Sequence, residues 1–222
     1  YSHMTTYYSA LILFLWLGLA VAAPEMIRLM ATPAYYSAAA VVPVVGFALA
    51  LDGLTFMFNI GVLFAKKTVL RMISICSAAT VNIALNFLWI PKYGMMGAAW
   101  ATLVGFLVQM VLTVTLSLRV FYVPYRYGRL LAVAGGALGI YAASVFLTFE
   151  SLAISIPVKI GLLLLYPLYL LAIGLVERDD LQSAIAWAQR RVPASAPALR
   201  LLTPLVRLAP ARSSTEQSPL GT

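Results

Sequence analysis

Any chemistry in this chain has to begin from very few groups. One acid, Asp52, lies in the middle of a long apolar run, and four amides, Asn59, Asn82, Asn86 and Gln109, lie within or near such runs. An ionised carboxylate in hydrocarbon costs about 2.5 to 3.5 kcal/mol or more unless it is paired or hydrated, so Asp52 must face the protein interior or a wet cavity. There it would act as a cation or proton coupling site or as a polar contact to a substrate. The competing reading is a carboxyl kept neutral or bonded to a neighbouring helix. Asn82 and Asn86 share a helix face at i, i+4. For the amides, a place along a substrate path competes with interhelical hydrogen bonding worth about 0.6 to 2 kcal/mol each. Lys66 and Lys67, with Arg71 one turn deeper, could attract a phosphate-bearing lipid headgroup or could simply set topology.

Enzymatic chemistry has little to work with. The one histidine, His3, stands at the extreme N-terminus, and six of the seven acids fall outside the apolar runs. A membrane-embedded glycosyl or acyl transferase would have to use Glu25, Glu150 or the cluster Glu177 to Asp180, the interfacial acids. Cys76 is alone, so neither a disulfide framework nor a thiolate metal site is expected. We expect no metal, no cofactor and no catalytic residue.

The elements that position these groups follow from hydropathy. The 222 residues are 63% hydrophobic and 10% charged, with a mean hydropathy of +0.95. That is more apolar surface than one soluble core can bury, so lipid is the expected solvent. A helix crossing about 30 Å of hydrocarbon needs about 20 residues free of unpaired charge. Runs without charge extend from Met4 to Pro24, Leu29 to Leu51, Met72 to Pro91, Tyr93 to Leu118, Leu130 to Phe149 and Ile160 to Val176. They predict an all-α integral membrane protein with about six transmembrane helices. The first run lacks a basic n-region and is as long as a full span, which argues against a cleaved signal peptide; Tyr1 implies a native start upstream or foreign first residues.

If the helices alternate in direction, one side receives Arg28, Lys92 and Lys159, and the other receives Lys66, Lys67, Arg71, Arg119, Arg126 and Arg129. Six basic residues against three, before the arginines of the C-terminal tail are added, place both ends of this segment in the cytoplasm by the positive-inside rule. The net charge of +8 then reflects helix ends and tail facing anionic headgroups, not a nucleic-acid surface. The second run extends as far as Phe64 and contains Pro43 and the pair Asp52-Gly53, so it should tilt or kink. Residues 1–176 thus form the transmembrane unit. An amphipathic helix over 177–192 is expected to lie on the membrane surface, followed by a disordered cytoplasmic tail over 193–222.

Small residues at four-residue spacing, Gly97-Ala101-Gly105 and Gly135-Gly139-Ala143, allow close helix approach in lipid. Between the third and fourth runs, Pro91 stops one helix and Gly94 permits positive φ, which makes the pair an antiparallel hairpin.

That hairpin, Asn82-Ile-Ala-Leu-Asn86-Phe-Leu-Trp-Ile90-Pro91-Lys-Tyr93-Gly94-Met-Met-Gly97-Ala98-Ala99-Trp-Ala101-Thr102, resembles the N-x3-N-x3-I-P-x-Y-G-x2-G-A-A-x-A-T signature of polysaccharide biosynthesis proteins, the Wzx-like oligosaccharide flippases. Upstream, Tyr35-Tyr36-Ser37-Ala38-Ala39 with Val42-Pro43, then Gly61 to Thr68, is similar to the two preceding helices of that family, and Phe121 to Arg129 is similar to its basic loop. The match covers about Pro24 to Arg129; the last two helices match only in hydropathy. The resemblance implies one six-helix lobe of a two-lobe transporter whose N-terminal lobe is missing here. It implies a polyprenyl-pyrophosphate-linked oligosaccharide as substrate, flipped across the cytoplasmic membrane by alternating access, with membrane lipids and the polysaccharide polymerase and export machinery as partners. A cation-coupled drug exporter or peptidoglycan-precursor flippase of the same superfamily is the alternative, ahead of the transferase.

Overall fold

The computed structural model describes residues 2–64, 66–120, 127–147 and 152–175. The helix predicted over 177–192 and the tail over 193–222 lie outside them. Among the described residues all regular structure is helical: α1 (Ser2–Met30), a 3-10 segment (Pro33–Ala40), α2 (Val41–Phe58), α3 (Ile60–Phe64), α4 (Thr68–Val120), α5 (Tyr127–Phe146) and α6 (Leu152–Ala172). Five helical stretches are long and apolar enough to cross a membrane, α2 and its flanking segments counting as one. Their outward side chains are large and greasy, with Phe146 86% and Phe87 79% exposed, a surface that lipid tolerates and water does not. Two units divide the chain, Tyr1–Tyr166 and Pro167–Thr222.

The 53-residue α4 is not straight. Gly94 adopts φ 56°, ψ −134°, and the arms 68–93 and 95–120 fold back on each other. Gly97 lies against the Trp89 carbonyl, Gly105 against Asn82 and the Ala78 carbonyl, and Asn82 Nδ2 donates to Thr102 Oγ1 at 3.5 Å. These pairs step away from Gly94 symmetrically, as antiparallel arms must. The expected hairpin is therefore present, with its break at Gly94 and not at Pro91, which helical backbone passes through. The left-handed conformation at Gly94 is open to glycine because it has no Cβ.

The second run is interrupted where sequence did not point. Pro43 sits in the first turn of α2, where its missing N–H costs no helical bond, and Asp52-Gly53 is helical throughout. Gly53 instead faces α1, where a Cβ would press on the end of the Ile12 side chain. The interruptions fall at the 3-10 segment and at Asn59, whose N–H bonds to the Thr55 carbonyl at 3.1 Å.

Trp16 joins α1 to α2 and α5. It is 5% exposed, its Nε1 donates to the Pro43 carbonyl at 2.9 Å, and its ring lies 5.0 Å from Phe47 and 5.4 Å from Tyr141 in tilted contacts. Such tilted aromatic pairs add about 0.5 to 1.5 kcal/mol each beyond burial. The first part of α6 packs on α1 and α5 through Leu163 against Gly18, Tyr166 stacked on Phe14, and the Tyr166 hydroxyl donating to the Val133 carbonyl. Beyond Pro167, α6 ends in a Schellman cap with Gly174 at φ 67°; the N–H groups of Gly174 and Leu175 donate to the carbonyls of Leu171 and Leu170.

Only one of the two small-residue runs is used for close packing. Gly97, Ala101 and Gly105 are engaged in the hairpin, whereas a Cβ added at Gly135 or Gly139 would meet nothing within 4 Å. Gly97→Ala should therefore destabilise the protein by about 1 to 3 kcal/mol through overpacking against the Trp89 carbonyl, while Gly135→Ala should not lower stability. Thermal unfolding of the two variants in one detergent checks the contrast.

Candidate functional site

The helices run past charges that the apolar runs treated as boundaries. Glu25 and Arg28 lie inside α1, and Lys159 lies inside α6 and not in the connection before it. The reason is pairing. Lys159 Nζ donates to both carboxylate oxygens of Glu25 at 2.6 and 2.7 Å, and Ser155 Oγ donates to Oε1 at 2.7 Å. Both charged side chains are mostly buried, at 15% and 12% exposure. An unpaired charge must leave the hydrocarbon, but an ion pair whose carboxylate accepts three hydrogen bonds can be held inside two packed helices.

This ion pair lines a cavity of about 540 Å³ in the first unit, whose walls mix polar side chains with apolar ones such as Val21, Pro43 and Val145. Its walls come from α1, the 3-10 segment, the start of α2, the end of α5 and the start of α6, with Met96 of the hairpin turn at its edge. Arg28, Tyr36, Ser37, Tyr141 and Ser144 also line it. Residues near the α1–α2 connection, the Gly94 turn and the facing ends of α5 and α6 meet in this one cavity, so these share one end of the unit.

A second cavity, about 380 Å³ and almost wholly apolar, is lined by Ser9, Leu13, Leu54, Phe58, Val114 and Leu130 among others. Those residues belong to the beginning of α1, the end of α2, the end of α4 and the beginning of α5, so this cavity lies toward the opposite end, where Lys66, Lys67, Arg71, Arg119 and Arg129 stand.

The groups singled out by sequence separate into three places. Asp52, partly exposed on α2, accepts a 2.9 Å hydrogen bond from Gln109 Nε2 on the second arm of α4. Asn86 Nδ2 donates to Asn82 Oδ1 at 3.1 Å, and Asn82 continues to Thr102, so the i, i+4 pair ties the hairpin arms together. Asn59 is buried at the end of α2; its Nδ2 donates to the Thr55 carbonyl at 3.2 Å, and its Oδ1 has no partner among the described residues. None of these four lines the cavity beside the ion pair.

Lys66, Lys67 and Arg71 lie beyond α3, the two lysines exposed and Arg71 partly so. Lys66 N–H donates to the Leu63 carbonyl and Lys67 N–H to that of Val62, which is the Schellman pattern with Lys66 at the left-handed position, φ 55°. A lysine where glycine is usual strains the backbone by about 1 to 2 kcal/mol. Pro91, Gly94 and Gly97 are structural, as expected of the hairpin motif.

The Glu25–Lys159 contact is what sequence reading missed. One signal for it was available: the alternation that grouped Arg28, Lys92 and Lys159 on one side also put Glu25 there, an acid within reach of bases.

Lys159→Met should cost about 3 kcal/mol, because it leaves a buried carboxylate uncompensated, whereas Glu25→Leu combined with Lys159→Met should recover most of that loss. Lys66→Gly should raise stability by about 1 kcal/mol by relieving the left-handed lysine. Thermal melts of the purified chain in detergent read both.

No family model, no curated protein and no solved structure matches the chain.

Proposed function

We propose that this chain is part of a translocator that flips a polyprenyl-pyrophosphate-linked oligosaccharide across the cytoplasmic membrane. The observation that carries this reading is the hairpin from Asn82 to Thr102. The residues that resemble the flippase signature each have a physical task in it: Gly94 makes the turn, Gly97 permits the approach of the arms, and Asn86, Asn82 and Thr102 form the polar bridge between them. With its two arms counted separately, the apolar helices make six crossings, the number in one lobe of such a transporter. Both ends of the segment then lie on the cytoplasmic side, at the end rich in lysine and arginine.

The chemistry of the cargo agrees with the distribution of polar groups. A sugar pyrophosphate cannot cross hydrocarbon without a hydrated path, because burying its charges unpaired is prohibitive. Asp52 and Gln109, partly exposed on adjacent helices, give one wall of such a path a polar face at mid-helix depth. The second wall would come from the N-terminal lobe, and rocking of the two lobes about the path would expose it to each side in turn. Lys66, Lys67 and Arg71 would meet the pyrophosphate at the cytoplasmic mouth before entry.

Complementation of a polymer-export mutant by the full-length gene tests the reading. Transport should be restored, and Asp52→Asn should lower it about tenfold, the scale of one charged hydrogen bond of ~1.5 kcal/mol, with membrane insertion unchanged. Failure of the unaltered gene to restore export would exclude the proposed cargo, and full activity of Asp52→Asn would remove that residue from the path.

A further inference from the structure

We propose that the cavity around Glu25 and Lys159 is a saccharide subsite built into this unit, distinct from the path at Asp52 and selective for a sugar bearing an acidic group. The inference rests on the proposed glycan cargo and names where part of that cargo docks. A sugar ring presents hydroxyls that both donate and accept, together with faces of C–H bonds. The cavity offers a counterpart for each. Glu25 accepts, Lys159 and Arg28 donate, the hydroxyls of Ser37 and Tyr36 do either, and the rings of Tyr36 and Tyr141 supply flat apolar surfaces. Its volume of about 540 Å³ lies within the ~300–1,000 Å³ typical of small-ligand sites.

Charge sets the preference. Glu25 and Lys159 neutralise each other at 2.6 Å, while Arg28, exposed at the cavity's edge, has no ion pair among the described residues. The cavity therefore carries one uncompensated positive charge, held on a guanidinium whose fork matches a carboxylate. The part-buried pair lines the cavity, where hydroxyls of a ligand can share its carboxylate oxygens and ammonium. The apolar cavity near Phe58 has no charged side chain in its lining.

The subsite can be read without transport. In the full chain carrying Cys76→Ser and Ser37→Cys, reconstituted in lipid nanodiscs, the rate of maleimide labelling at position 37 reports occupancy of the cavity. Glucuronate should slow labelling about fivefold near saturation, as mass action requires for roughly four-fifths occupancy, and glucose should do so only at higher concentration. Arg28→Gln should abolish the preference for glucuronate, and Tyr36→Ala should weaken both sugars; these side chains are exposed and the ion pair stays intact in either variant. Absence of protection by both sugars, or equal protection by inorganic phosphate, would overturn the subsite whatever export assays report. Loss of export function with protection retained would instead count against the cargo reading and leave the subsite standing.

Discussion

Hydrocarbon offers no hydrogen bonds, and helices long and apolar enough to cross it, as five stretches here are, must be built to that constraint. Each backbone N–H and C=O in the apolar helices must be satisfied within its own segment, which is why the described residues fold as helices. The same rule disposes of hydroxyls. Ser9, Thr55, Ser74, Thr80, Thr102 and Thr115 all donate to the carbonyl four residues earlier, so that small polar side chains are carried within long apolar helices by a bond to their own helix. Longer polar groups cannot close on their own helix so easily. Asn59 does so through Thr55, but the others bridge helices: Asp52 to Gln109, Asn86 through Asn82 to Thr102, and Glu25 to Lys159 and Ser155.

The ion pair changes how helix length relates to charge. A lone glutamate or lysine sets a limit to a membrane helix because its desolvation has no compensation. Paired and multiply hydrogen-bonded, the two charges become interior groups, and α1 and α6 extend past them by more than a turn. The result is a chamber with mixed polar and apolar walls at one end of the unit, with a cation at its edge. At the other end Lys66, Lys67 and Arg119 are exposed and Arg71 partly so, with no ion pair among the described residues. The two ends are thus chemically different for two different reasons, one built from a contact between distant helices and the other from local sequence.

Close approach is similarly selective. Glycine and alanine at four-residue spacing occur in both the hairpin and α5, yet only the hairpin brings another backbone against them. A short turn forces its two arms into contact, so Gly97 and Gly105 are confronted by Trp89, Ala78 and Asn82. No comparable tether presses a neighbour onto Gly135 and Gly139. The same distinction separates the two Schellman caps, where Gly174 takes the left-handed position without strain and Lys66 takes it with strain.

Much of this architecture was already legible in the chain because it depends on periodicity and neighbours a few residues apart. Apolar runs of span length, the turn chemistry of Gly94 and the shared face of Asn82 and Asn86 are all local or additive properties, and each has its counterpart in the folded protein. What required tertiary structure was every partnership across more than about two turns of helix. Neither the spacing of Glu25 and Lys159, 134 residues apart, nor that of Asp52 and Gln109, 57 apart, leaves a periodic trace. The passage of α1 and α6 beyond Glu25 and Lys159, the position of the break at Asn59 and the cavity beside the ion pair were decided there, since the cost of a buried charge or an unfilled hydrogen bond depends on what the rest of the chain places beside it.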